Sequence, residues 1–206
     1  FMTALYQKPL DLGCDIVIES LTKFVNGHSD VTAGCAVTNN EDIASEICLL
    51  QKNFGGILGV EDAWLILRGM KTMGLRMEKS VENARILTKF LETQDKIKKV
   101  YYPNLTSCKF YDIHTEQASS GGAVFSFEFF EQDDLKTFLK KIKIPIYAIS
   151  LGGVESIISH PATMSHACMS EEERLAQGVT QTLLRFSCGV EDSEDLIEDL
   201  KQALNN

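Results

Sequence analysis

The sequence predicts an α/β protein, and three features carry that reading. Short apolar runs of strand length recur along the chain, stretches with helical spacing of apolar residues separate them, and Gly, Asn and Asp turn signals lie between. The composition suits a packed core: of 206 residues, 44% are hydrophobic and 24% charged. That length allows one or two domains.

The elements follow in order. Asp15 to Ser20 is a short buried strand, and Val31 to Val37 is a second one. The polar stretch Thr22 to Asp30 joins them. Asn39, Asn40, Glu41 and Asp42 give helix-start signals for a helix over Ile43 to Gln51. The glycines of Gly55-Gly56-Ile57-Leu58-Gly59 break the chain. Beyond them runs the longest helical pattern, Val60 to Glu92, where Gly69 and Gly74 are the points of bending or division. Its stripe of Trp64, Leu65, Leu67, Met70, Met73, Leu75 and Met77 is expected to face the core. Val100 to Tyr102 reads as a strand, Ala123 to Phe129 as a half-exposed strand, and Asp133 to Lys143 as a basic amphipathic helix with a solvated face. Ile144 to Ile149 and Leu183 to Ser187 are strands. Glu171 to Gly178 and Ser193 to Leu204 are helices, the last with Ser193 as its cap. This second half reads as α/β or α+β.

Composition and spacing also exclude function classes. The net charge is −9, and no basic patch is visible, which argues against nucleic acid and anionic membranes as partners. No apolar run approaches the ~20 residues of a membrane-spanning helix. No charged segment leads into an apolar signal-peptide core, so a cytoplasmic location is expected. The six cysteines (Cys14, Cys35, Cys48, Cys108, Cys168, Cys188) are scattered and form no CxxC pair, so they are expected to be reduced and mostly buried. The four histidines show no metal-ligand spacing, and no metal is expected.

Three segments resist explanation as packing alone. Lys23 follows a buried strand directly, where α/β proteins place ligand-binding groups. Partly desolvated there, its amine would be a usable nucleophile for an aldehyde, and the Ser20 and Thr22 hydroxyls beside it suit phosphate oxygens. A solvated turn with a surface lysine fits the spacing equally well. Ser150-Leu151-Gly152-Gly153 follows another apolar strand, and its glycines would let backbone N–H groups approach an anion or simply make a tight turn. Arg185 lies inside the apolar run Leu183 to Ser187, which calls for a carboxylate or phosphate, either a bound one or a structural salt bridge.

Taken in order, seven blocks resemble the Cys/Met-metabolism family of pyridoxal phosphate (PLP) enzymes: Gln7 to Gly13, Ser20 to Asp30, Leu67 to Met73, Tyr101 to Pro103, Ser150 to Ser156, His160 to His166 and Leu184 to Asp192. The resemblance implies a fold-type I, aspartate-aminotransferase-like architecture. Residues 1–74 would be the end of the large PLP domain, and 75–206 the C-terminal domain, a small sheet with helices on one face. It also implies PLP as cofactor. Lys23 would be the Schiff-base lysine and proton shuttle, Ser20 and Thr22 the phosphate-holding hydroxyls, and Ser150 and Arg185 contacts to the substrate carboxylate. The substrate class would be an amino-acid thioether.

Family members that act at the substrate γ-carbon often carry a glutamate immediately before Ser-Leu-Gly. Here that residue is Ile149. With Pro161 to His166 this favours cystathionine β-lyase, giving homocysteine, pyruvate and ammonia. γ-Lyase, γ-synthase and methionine γ-lyase remain open, as does a folded domain with no activity of its own. The resemblance covers about the second half of a family member, and relatives are tetramers of catalytic dimers whose sites borrow groups from elsewhere. The 206 residues alone are therefore expected to be inactive and to bind PLP weakly. Titrating the isolated chain with PLP tests this: a strong visible absorbance band abolished by Lys23→Ala would overturn it.

Overall fold

A computed structural model describes residues 1–205. The chain begins with α1 (Thr3–Tyr6) and a 3-10 turn at Pro9–Leu12, then forms β1 (Val17–Ser20) and β2 (Gly34–Val37), an antiparallel pair joined by the wide turn Leu21–Val25. Three helices follow: α2 (Glu41–Phe54), α3 (Val60–Met70) and α4 (Met73–Leu91). The remainder is β3 (Ile97–Tyr101), α5 (Tyr111–Gln117), β4 (Val124–Phe129), α6 (Gln132–Lys141), β5 (Ile146–Tyr147), β6 (Ile157–Ser159), α7 (Glu171–Ala176), β7 (Leu183–Ser187) and α8 (Ser193–Leu204). Its sheet has the order β3-β4-β7-β6-β5, antiparallel except for the β5–β6 pair. The expected α/β class is what the structure shows.

Strand alternation divides this sheet into two faces. On β4, Phe125, Phe127 and Phe129 point into the core, and on β7, Leu184 and Phe186 do so. Phe125 stacks on Phe186 with ring centres 5.2 Å apart, and Phe138 of α6 meets Phe127 edge-on at 5.9 Å. Leu87 and Leu91 of α4 and Leu196 and Leu200 of α8 close the same core. The other face carries Ser126, Glu128, Arg185 and Ser187, and the functional segments gather against the β7 end of it.

Several expectations are corrected. The long helical pattern divides at Lys71–Thr72, between the two glycines, into α3 and α4. Its apolar stripe is mostly outside the core: Trp64 is 57% exposed, Leu67 63% and Leu75 74%, while Met77 is fully buried. The physical reason is that nothing among the described residues packs on the outer side of α3, so helical spacing marks an apolar face without saying what covers it. β4 is more buried than its alternation suggests, because it lies between β3 and β7 and its polar side is hydrogen-bonded. α8 is capped by Asp192, whose carboxylate accepts from Glu194 N–H, rather than by Ser193. The cysteines are free as expected, but only Cys188 is buried; Cys14, Cys48 and Cys168 are exposed because their elements lie at the surface. No metal-binding cluster occurs among the described residues, and no helix there is long and apolar enough to cross a membrane.

Glu128 is the buried charge of the polar face. Its carboxylate accepts from Thr180 Oγ1 at 2.8 Å, Lys98 Nζ at 3.3 Å and Tyr101 Oη at 3.2 Å. Burial alone would raise its pKa, but these donors, Thr180 foremost, outweigh burial and hold it below the ordinary value. A folded-state pKa below the unfolded one contributes stability at pH above the unfolded value, lost as the pH falls through the folded value. Glu128→Gln is expected to destabilise by about 1–3 kcal/mol at pH 7. That corresponds to several degrees in Tm at roughly 2–4 °C per kcal/mol, and the difference should shrink in acid. Thermal denaturation at pH 7 and pH 3 checks this; an equal difference at both would refute the charge argument.

Candidate active site

Lys23 sits in the turn that leaves β1. Its backbone departs from helical geometry (φ −92°, ψ −133°), so the turn is wide and its carbonyls need partners outside a regular helix. Gly27 N–H caps Lys23 C=O at 2.7 Å, and Asn26 N–H caps Leu21 C=O at 3.1 Å. The side chain reaches across the molecule: Nζ donates to Ser150 Oγ at 2.9 Å. Ser150 belongs to the loop after β5 and adopts φ +84°, a left-handed conformation that a non-glycine residue holds at a cost of roughly 1–3 kcal/mol. Its carbonyl accepts from Arg185 Nη2 at 2.6 Å. Lys23, Ser150 and Arg185, far apart in sequence, thus form one hydrogen-bonded chain.

The adjacent glycines make this possible. Gly152 has φ +83°, and a Cβ there would lie 2.8 Å from Phe24 N and 3.0 Å from Lys23 Cβ. Gly152 N–H donates to Ser187 Oγ at 2.9 Å, so the open face of β7 holds the loop through Ser187 and faces it with Arg185. At the loop's far side Glu155 accepts from Ser29 Oγ at 2.9 Å, tying it to the segment after Lys23.

Arg185 is half-buried on the polar face of β7, and no carboxylate pairs with it among the described residues; its contact is a backbone carbonyl. Burial pulls its pKa below the usual arginine range without changing its charge near neutrality. Its remaining N–H donors suit an anion brought from outside. Ser20 and Lys23 line a cleft of about 340 Å³ together with Val17, Glu19 and Phe24. The Ser20 hydroxyl has no protein partner among the described residues. Thr22 differs: its hydroxyl donates to Ala33 C=O at 3.2 Å and accepts Ala33 N–H at 2.9 Å, so it pins β2 to the turn here. The donor set of one reachable amine, one free hydroxyl and one unpaired guanidinium fits a phosphate-bearing aldehyde and an α-carboxylate, with Thr22 reaching an oxyanion only by exchanging its bond to Ala33 C=O.

Arg76 was not legible as part of this site. It lies in the first turn of α4, and Nη1 donates to Phe24 C=O at 2.8 Å while Nη2 donates to Val25 C=O at 3.1 Å. The available signal was indirect: Gly27, where a Cβ would collide with the Arg76 guanidinium, and Gly69, where a Cβ would lie 2.3 Å from Asn26 C=O.

A lysine amine and an arginine without a carboxylate partner among the described residues meet at Ser150, an arrangement whose chemistry suits an amino acid and a carbonyl reagent. The chain belongs to the Cys/Met metabolism PLP-dependent enzyme family, whose model matches residues 1–205. It is 47% identical to cystathionine beta-lyase MetC of Bacillus subtilis over 99% of this chain and 52% of that protein. It is 43% identical to the cystathionine gamma-lyase of the same organism, over 100% of this chain and 54% of that one. The cystathionine gamma-lyase of Lactobacillus plantarum, solved in complex with L-serine, superposes with a TM-score of 0.95 at 38% identity, covering 98% of this chain and 53% of its own. The chain therefore has the fold-type I architecture of this family and spans about half the length of the relatives it matches.

Gly152→Ala tests the joint. The substitution places a Cβ against the Lys23 backbone at a left-handed φ, and is expected to cost about 1–3 kcal/mol and to part Lys23 from Ser150. Calorimetry reads the first effect, and the rate at which an amine-reactive reagent labels Lys23 reads the second. An unchanged Tm with unchanged labelling would show that the loop does not rest on Lys23.

Proposed function

We propose that the natural full-length protein is a PLP-dependent carbon–sulfur lyase that cleaves cystathionine by β-elimination to homocysteine, pyruvate and ammonia. The observation that carries this reading is the chain from Lys23 Nζ through Ser150 to Arg185, in a member of this family. In this reading Lys23 holds the cofactor and the Ser20 and Thr22 hydroxyls hold its phosphate. PLP supplies the electron sink for charge developing at the substrate Cα.

The chain's own residues do the rest. Arg185 takes the substrate α-carboxylate with the donors it does not spend on Ser150 C=O, and that contact fixes how the amino acid lies. Ser150 keeps the Lys23 amine within hydrogen-bond reach of its hydroxyl. Nζ is thereby placed to take the Cα proton and to return one at the leaving sulfur. The β-carbon assignment rests on Ile149, which is 69% exposed next to Ser150 and offers no carboxylate to a distal ammonium group. The division into a PLP-domain portion (residues 1–74) and a C-terminal domain (75–206) belongs to the same reading and is supported by the two separate sheets. So does assembly as a homotetramer, which would cover the apolar outer side of α2 and α3; Phe54 is 85% exposed and Val60 90%.

A second reading, chemistry at Cγ, is favoured by the 43% identity to a cystathionine gamma-lyase. Product analysis with cystathionine decides. Pyruvate with homocysteine is expected; 2-oxobutyrate with cysteine would replace β-elimination by γ-elimination. Lys23→Ala is expected to abolish turnover. Arg185→Leu should raise KM by about 10- to 100-fold, as loss of a charge-assisted contact worth ~1.5–3 kcal/mol requires. A KM unmoved in Arg185→Leu would remove Arg185 from carboxylate binding.

A further inference from the structure

Arg76 is 8% exposed, carries a formal charge, and has no carboxylate partner among the described residues. A buried guanidinium of this kind persists only where fixed dipoles replace its hydration. Here the dipoles come from two segments. Nε donates to Thr72 Oγ1 at 3.0 Å and Nη2 to Gly69 C=O at 2.9 Å, both at the junction of α3 and α4. The remaining bonds, to the carbonyls of Phe24 and Val25, fall on the two residues that follow Lys23. The planar fork therefore bridges the helix junction and the lysine turn, and the turn is cut at Gly27 to admit it. Gly27, at φ +76°, leaves no room for a Cβ beside Nη1, and Gly69 lets Asn26 C=O approach α3 directly.

We propose that Arg76 is a positioning residue for Lys23: it sets where the lysine turn stands relative to α3 and α4, and so where the amine stands relative to Ser150. The inference rests on the lyase reading, because only there does the position of Nζ govern a rate. Lysine cannot replace this arginine, since an ammonium group cannot span the Phe24, Val25 and Gly69 carbonyls at once. A misplacement near 1 Å at a reacting group is worth about 100-fold in rate. Arg185 and Ser187 are held by β7 on the other sheet and share no hydrogen bond with Arg76, so substrate binding is expected to be separable from amine placement.

The test uses the full-length protein with Arg76→Lys. Expected are a kcat lowered about 10- to 100-fold with KM within about twofold of the parent. Amide hydrogen exchange should quicken in the peptide covering residues 21–27 while peptides covering β4 and β7 keep their protection. A lowered Tm with kcat per folded molecule unchanged, or exchange that quickens uniformly, would make Arg76 a stability residue and overturn the proposal. Should Arg76→Lys fail to fold, Thr72→Val, which removes the Nε partner and the Thr72 Oγ1 bond to Gly69 C=O but leaves the three carbonyl contacts of the guanidinium, decides by the same two readouts. A parent protein that cleaves no thioether would refute the lyase reading instead. The clasp would then stand or fall on the exchange pattern and on whether Arg76→Lys alters the labelling rate of Lys23.

Discussion

At Gly152 the loop after β5 lies so close to the chain at Lys23 and Phe24 that a single added carbon would meet the backbone at 2.8 Å. This close approach is the constraint on which the site depends. It brings a segment near the start of the chain against one well past its middle, and it leaves little freedom in their relative height. Once the backbones touch, the Lys23 side chain has a short path to Ser150, and Ser150 takes a left-handed conformation that presents its hydroxyl to the amine and its carbonyl to Arg185. The strain at Ser150 is stable because neighbours on both sides over-determine it: Gly152 N–H is bound to Ser187, and the Ser150 carbonyl to Arg185.

The sheet supplies the other half of that geometry. Alternation along β7 sends Leu184 and Phe186 into the aromatic core and leaves Arg185 and Ser187 on the opposite face. The rigidity of the core, with its stacked and edge-on rings, is thereby passed to two polar side chains that point at the 150–153 loop. A slip of one residue in β7 would exchange the two sets, burying the guanidinium among phenylalanines. The same hydrophobic packing that stabilises the domain also fixes the register of Arg185.

Much of this was legible in the sequence because it is local. Lys23 after a strand, the Gly152-Gly153 pair, and an arginine inside an apolar run each stood out locally while a surface turn, a tight turn and a structural salt bridge fitted them too, and the family blocks decided between the readings. The structure brings Lys23, Ser150 and Arg185 together and places Ser20 on the cleft that Lys23 also lines. What was not legible depends on partners distant in sequence. The stripe on α3 and α4 has helical periodicity, but periodicity cannot tell a face covered by residues 1–205 from one that is left open, and Trp64, Leu67 and Leu75 are open here. Glu128 looked like the polar side of a half-exposed strand. Its burial required knowing that Lys98, Tyr101 and Thr180 converge on it. Thr22 stood beside Ser20 as an equivalent hydroxyl, yet its bonds to Ala33 come from the pairing of β1 with β2.

The two buried or half-buried arginines show how a structure separates scaffold from site where the residue type does not. Both lack a carboxylate among the described residues, and burial depresses the pKa of both. Arg76 spends four N–H donors on three carbonyls and a hydroxyl and is 8% exposed. Its hydrogen bonds go to the protein itself, and its influence on chemistry passes through the backbone it grips. Arg185 spends one contact on Ser150 C=O and keeps the rest of its fork open on the site side of the sheet. A half-buried cation with unused donors is costly unless something arrives to use them. That unmet requirement argues for an anionic group in the ligand more directly than the identity of the residue does, and its direct bond to Ser150 makes the same ligand adjacent to the lysine amine.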